Sequence, residues 1–123
     1  MIRGHVNRNY KAVLPLVVWQ GERLKSINAV IDTGFTGFLS LPLAMVQELN
    51  LVRSYSELAT LGDGSEVLFD IYGASVIWDG QYREIEINAA ETEPLLGMRL
   101  LRSHQLQINA VEGGLVTIQS STT

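Results

Sequence analysis

The apolar run from Ile27 to Ile31 ends directly on Asp32-Thr33-Gly34. A strand that stops at a carboxylate followed by glycine commits the chain to a tight turn, because Gly34 reaches backbone conformations that side chains forbid. That turn presents the Asp32 carboxylate at the rim of a β-layer. Further on, Leu95-Leu96-Gly97 runs into Leu100-Leu101, a second apolar-apolar-glycine element. The Asp-Thr-Gly sequence occurs once, so any chemistry that needs two such carboxylates needs two copies of the chain.

The rest reads mostly as strands. Tyr10 to Gln20 is apolar and β-branched, and Gln20-Gly21-Glu22-Arg23 offers a hairpin connection to Leu24–Ile31. Phe38-Leu39-Ser40-Leu41 is a short extended piece. Pro42 suits a helix start, and Leu43 to Leu49 has helical spacing that ends near Asn50. Leu58–Leu61 and Glu66–Tyr72 flank Gly62-Asp63-Gly64-Ser65, a strong hairpin signal. A further hairpin is expected from Ala74–Trp78 through Asp79-Gly80 to Tyr82–Ala89, with alternation at Ile85 and Ile87. Met98 to His104 is expected to be a short helix. Leu106–Val111, Glu112-Gly113-Gly114 and Leu115–Gln119 form a last hairpin, with Ser120 to Thr123 as a frayed tail. Many short strands with one or two short helices predict an all-β, barrel-like fold.

Composition narrows the function. At 123 residues, 46% hydrophobic and 18% charged, the chain suits one globular domain spanning 1–123, with no linker or repeat. No apolar stretch reaches the roughly 18–20 residues of a membrane span. Met1 to Lys11 is polar, and the apolar part after it is broken by Pro15, so no signal peptide and a cytoplasmic location are expected. Cysteine is absent and there are two histidines, which argues against a disulfide framework, a thiol nucleophile or a zinc site. A net charge of −4 with no basic stripe disfavours nucleic acid.

Val30-Ile31-Asp32-Thr33-Gly34, together with Leu95-Leu96-Gly97-Met98-Arg99-Leu100-Leu101, closely resembles the retropepsin-like aspartic proteases. The second stretch, continuing to Ile108, is most similar to the retropepsin-like domain of eukaryotic DNA-damage-inducible ubiquitin-shuttle proteins and to small stand-alone prokaryotic members. The resemblance runs from about Tyr10 to Gln119 in the right order. It implies a closed acid-protease barrel and a C2 homodimer to which each subunit donates one Asp. Asp32 matches the catalytic Asp, Thr33 and Gly34 match the rest of the active-site loop, and Leu95-Leu96-Gly97 matches the element that packs beneath it. The hairpin from Thr60 to Glu66, with Leu61, Gly62, Asp63, Gly64 and Ser65 at its tip, falls where the family carries its flap. The implied partners are a second copy of the chain and an extended peptide, with no cofactor and no metal. Phe35 stands where the family usually has Ala or Ser, and Thr36-Gly37 is unlike the viral members; both bear on substrate choice. Asp63 puts a charge at the flap tip, which argues against a tight apolar contact between flaps.

Other residues read more plainly. Asp70, Asp79, Glu91 and Glu93 are expected on solvated turns or strand faces. His104 is expected to cap the second helix as a cation, and Trp19 and Trp78 to lie in the core or on a sheet face. Leu115–Ile118 is either a strand that closes the barrel or a dimer contact, with Met1–Asn9 as the competing contact. Two further readings differ in class: a non-cleaving peptide-binding or dimerisation module on the same barrel, and a monomeric β-barrel of unrelated function.

Overall fold

The structure, a computed structural model, describes residues 1–121. Its strands are β1 (Ile2–Val6), β2 (Ala12–Gln20), β3 (Arg23–Ile31), β4 (Leu39–Leu41), β5 (Val52–Thr60), β6 (Glu66–Trp78), β7 (Gln81–Ala89), β8 (Leu95–Leu96), β9 (His104–Ile108) and β10 (Leu115–Ser120). Two short helices, α1 (Leu43–Glu48) and α2 (Met98–Leu101), follow β4 and β8.

The strands pair in the order β5-β6-β7-β4-β8-β3-β2-β1-β10-β9, and an extra contact between β6 and β2 closes the central six into a barrel. That seam is short, with only Val18↔Val76 and Trp19↔Ser75 in register. Two extensions leave the ring. β5 hangs on β6 as an arm, and β1, β10 and β9 continue from β2.

Period-two alternation builds the core. Leu14, Leu16 and Val18 of β2, Ile27 and Ala29 of β3, Ala74, Val76 and Trp78 of β6, and Ile85 and Ile87 of β7 all point inward and are buried. Pro15 is exposed between two of them, inside a strand, because β2 uses only one edge there. Asn28 of β3 is its partner on that side, whereas β1 reaches β2 only at Ala12 and Val13 and β6 only at Val18 and Trp19. A residue with no N–H fits the vacant edge.

Several boundaries differ from the sequence reading. β6 is one strand of 13 residues rather than two. Gly73, which reads as a break, keeps extended geometry and pairs with Val52 on one side and Glu86 on the other. Inward-facing Ile71 and Ala74 are three apart, so the strand changes its inner face there, beside a register shift between Arg53 and Tyr55 of β5. β5 begins six residues before the expected Leu58, at Val52, because pairing with β6 carries a run that has little apolar pattern of its own.

The N-terminal segment, read as polar, forms β1 between β10 and β2. Its pattern of Ile2, Gly4 and Val6 facing in, with Arg3 and His5 facing out, is a short alternation masked by its charges. β10 is therefore paired on both edges, with β1 and with β9, and its Val116 and Ile118 are fully buried. It lies in the extension outside the ring, so it does not close the barrel as one sequence reading had it, and β9 stands at the end of the strand order.

α2 is shorter than expected. Arg102 leaves the helical region at ψ 134°, which ends the helix, Ser103 follows at φ +64°, and His104 opens β9 instead of capping it. The Trp78 indole N–H donates to His104 Nε2 at 3.2 Å. An indole can only donate, so Nε2 is the acceptor and Nδ1 carries the proton, which it gives to the Arg102 carbonyl at 2.8 Å. His104 thus bridges β6 and β9. Ser120 belongs to β10 and the Ser121 amide donates to the Ser103 carbonyl at 2.9 Å, so the fraying expected there does not occur; Thr122 and Thr123 lie outside the described residues. Among the described residues no helix is long and apolar enough to cross a membrane.

Candidate active site

Asp32 follows the last residue of β3, and the loop 32–38 straddles β8. β3 runs parallel to β8, with Val30↔Leu95 and Ile31↔Leu96, and β4 runs antiparallel on its other side, with Leu39↔Leu96. Backbone hydrogen bonds tie the loop down from end to end. The Asp32 amide donates to the Leu96 carbonyl at 2.9 Å, Gly97 N–H to Phe38 O at 2.9 Å, Met98 N–H to Phe35 O at 2.8 Å and Arg99 N–H to Gly37 O at 3.1 Å. The Leu95-Leu96-Gly97 element is therefore the floor under the Asp32 loop.

Within the loop, the Gly34 amide donates to Asp32 Oδ1 at 2.9 Å, and the Phe35 amide donates to the Asp32 carbonyl at 3.1 Å. The first bond fixes the carboxylate's orientation, and Oδ2 has no hydrogen bond among the described residues. Asp32 is half-buried, and Thr33 and Gly34 beside it are exposed on one protomer. Gly97 has no alternative: a Cβ there would sit 2.2 Å from the Gly37 carbonyl oxygen. The Phe35 ring lies over Gly37 and Gly97, within 2.6–2.7 Å of where a Cβ on either would stand. The ring is half-buried on this glycine shelf and forms part of the cavity wall.

Asp32 opens into a cavity of about 490 Å³. One wall is the loop itself with Phe35, Phe38 and Ser40; another is the arm made by β5 and β6, which contributes Glu57, Ala59 and Phe69; β7 and the residues after it contribute Glu86, Asn88, Ala90 and Thr92. Arg99 of α2 also faces it. A second cavity of about 440 Å³ shares Phe38 and Glu86 with this one but does not include Asp32.

The turn at 61–65 stands apart from the Asp32 cavity. Leu61, Gly62, Asp63, Gly64 and Ser65 form the turn at the end of the β5–β6 arm, and none of them lines the cavity within one protomer; the shaft of the arm does. The turn is closed by Leu61 N–H to Ser65 O at 2.7 Å and Gly64 N–H to Leu61 O at 2.9 Å. Asp63 Oδ1 accepts from the Ser65 hydroxyl at 2.6 Å and the Ser65 amide at 2.9 Å. These two bonds hold the Asp63 carboxyl below the usual carboxylate range. The tip charge is thus spent partly on the turn itself.

A depressed pKa in the folded turn means the ionised form is the one being held. Its contribution is present above the ordinary Asp range and is lost as pH falls through the lowered value. Followed by NMR from neutral to strongly acid pH, the Ser65 amide should shift with a midpoint below the value of about 3.9 found for an unstructured Asp. Asp63→Ala should abolish that transition. A midpoint at or above the unstructured value would contradict the turn as described.

Glu57, Glu86, Asn88, Ser40 and Arg99 are cavity residues that the sequence reading missed. For Glu57 and Phe69 a signal existed: the tight turn at 61–65 sets the hairpin register, which pairs Glu57 with Phe69. No local pattern announced Glu86 or Ser40, whose positions follow from long-range pairing of β7 with β4. The other acids lie away from the cavity. Asp70 accepts from the Ser56 hydroxyl at 2.8 Å, Asp79 pairs with the Met1 amine at 2.7 Å, and Glu93 pairs with Lys11.

Compared with solved structures, the chain superposes on a retropepsin-like aspartic protease from Rickettsia conorii with a TM-score of 0.63, covering 98% of this chain and 91% of that one at 18% identity. The chain has the retropepsin-like fold. The EIAV protease complexed with the inhibitor HBY-793 gives a TM-score of 0.56, covering 75% of this chain and 86% of that one, also at 18% identity. No protein-family model and no curated protein sequence matches the chain. The likeness to both solved structures is thus one of fold, at 18% sequence identity.

Proposed function

We propose that this chain is one half of a homodimeric aspartic endopeptidase. The observation that carries the reading is the setting of Asp32: a carboxylate with one oxygen fixed by Gly34, on a loop bonded to its own floor, opening into a cavity beneath a hairpin arm. One chain supplies one such carboxylate. Apposed across a two-fold axis, two Asp32 residues would hold one proton between them, as is general for aspartic proteases, because like charges about 3 Å apart do not both ionise.

In that dimer the ionised carboxylate takes a proton from a bound water as the water attacks the scissile carbonyl, and the protonated partner donates to the carbonyl oxygen. The tetrahedral intermediate then collapses with proton return to the leaving nitrogen. No covalent enzyme intermediate is needed. Thr33, exposed next to Asp32, would bond across the axis and lock the pair. The β5–β6 arm supports an extended substrate, which a sheet edge reads through main-chain hydrogen bonds.

Two linked measurements test this. Light scattering should find a dimer, and a diverse peptide library read by mass spectrometry should show internal cleavage. Specific activity should fall on dilution as the dimer dissociates. A strict monomer that still cleaves would contradict the shared site, and a stable dimer that cleaves nothing would favour the non-cleaving peptide-binding module.

A further inference from the structure

The cavity beside Asp32 is unusually acidic for a peptide cleft. Glu57 and Glu86 line it together with Asp32, against the single guanidinium of Arg99. Glu57 projects from β5 and Glu86 from β7, so the two carboxylates belong to different walls. Tyr55, two residues before Glu57, donates its hydroxyl to Glu86 Oε2 and spans the gap between those walls. The phenol is pushed above its ordinary range, first by that hydrogen bond and then by desolvation and by the charges of Glu86 and Glu57. Both carboxylates therefore face one cavity, from different walls. Neither Glu57 nor Glu86 forms an ion pair within the described residues.

A second observation is independent of the acids. Ser40 is 3% exposed and its Oγ has no hydrogen-bond partner. Its β4 neighbours Leu39 and Leu41 belong to the core, so alternation turns Ser40 the other way, and it lines the same cavity. Buried hydroxyls are rarely left without a partner. Asn88 and Leu95, which pair with Ser40 in the sheet, line the cavity as well. An unsatisfied hydroxyl, a side-chain amide and two carboxylates without an ion pair among the described residues together call for a donor-rich cation.

We propose that this cavity is a subsite for a basic side chain, lysine or arginine, of the bound peptide. Glu57 and Glu86 neutralise its charge, Ser40 Oγ accepts one of its N–H groups, and the Phe35 and Phe69 rings pack its methylene stem. The subsite rests on the peptidase reading for its place in a reaction, but it makes a binding claim that stands apart from cleavage.

The test uses labelled octapeptides on an alternating Ala-Val background, with Lys, Gln or Glu placed at each position in turn. Binding is measured by fluorescence polarisation to Asp32→Asn protein, and cleavage is measured with the wild type. At one position Lys should bind at least about tenfold tighter than Gln, the range of a charge-assisted hydrogen bond. Glu should bind weakest, and the differences should shrink with salt. The Glu57→Gln, Glu86→Gln double variant should bring the Lys-to-Gln ratio close to one, and Glu86→Lys should turn the preference toward Glu. Equal binding of Lys and Glu peptides, or a Lys preference that survives the double variant, overturns the subsite. Asp32-dependent cleavage with no charge preference keeps the peptidase and removes the subsite. Charge-selective binding without cleavage does the reverse. Failure to bind any peptide overturns both.

Discussion

Asp32→Asn should abolish peptide hydrolysis and leave the fold intact. The two halves of this expectation come from different atoms of one side chain. Asp32 Oδ1 accepts the Gly34 N–H at 2.9 Å, and an asparagine carbonyl oxygen does the same. The backbone bonds between the loop and residues 96–99 do not involve the side chain. Melting by circular dichroism should therefore stay close to wild type. The proton relay cannot survive, because an amide neither takes the water's proton nor returns one. Loss of general acid–base catalysis predicts a drop in kcat/KM of at least about a thousandfold. A mixing experiment adds a signature that no single-chain site would give. Excess Asp32→Asn chain should suppress wild-type activity further than dilution explains, because each mixed dimer has one carboxylate. Full cleavage by the variant would remove the proposed function.

Gly97→Ala should be the most destabilising single methyl in the protein's active-site region. The new Cβ would lie 2.2 Å from the Gly37 carbonyl oxygen, 2.7 Å from Phe35 Cδ2 and 2.8 Å from the Phe35 carbonyl oxygen. The two oxygens cannot retreat freely, because they accept the Arg99 and Met98 amides at 3.1 and 2.8 Å. Overpacking plus the loss of one or two such bonds costs about 3–5 kcal/mol, or a fall in Tm of roughly 10–20 °C. Phe35→Ala should not rescue it, since the closest clash is with backbone. Gly37→Ala makes the contrast. Its nearest contacts are Phe35 ring atoms at 2.6 and 2.7 Å, a side chain that can move, so Phe35→Ala should restore most of its stability. Equal sensitivity of the two glycines to Phe35→Ala would show that the floor is not held as described.

What the sequence made legible was whatever depends on near neighbours. Alternation in β2, β3 and β7 exposes their inner faces, and the Gly-rich turns at 21, 62–64, 80 and 113 separate their hairpins. Asp32 and Gly97 announce themselves because each needs a specific residue type at a specific bend. The misses share a different cause. Gly73 reads as punctuation but lies inside a ladder with strands on both sides, so pairing overrides its low strand preference. The helix after Gly97 stops at Leu101 because Arg102 turns extended and Ser103 left-handed, which leads the chain into β9 on β10. Ser40 and Glu86 reach the cavity only after β4, β7 and β8 have assembled. Their role lies in topology, and no window of sequence contains it.

β6 has a mechanical consequence. Its first half is one rail of the arm over the cavity, and its second half forms the two-pair seam that closes the barrel at Val76 and Ser75. Because pairing continues through Gly73 on both edges, arm and clasp share one strand. If the chain is the proposed peptidase, lowering the arm onto a peptide would load the clasp along that strand. Capture of substrate and integrity of the barrel would then be coupled through a single backbone.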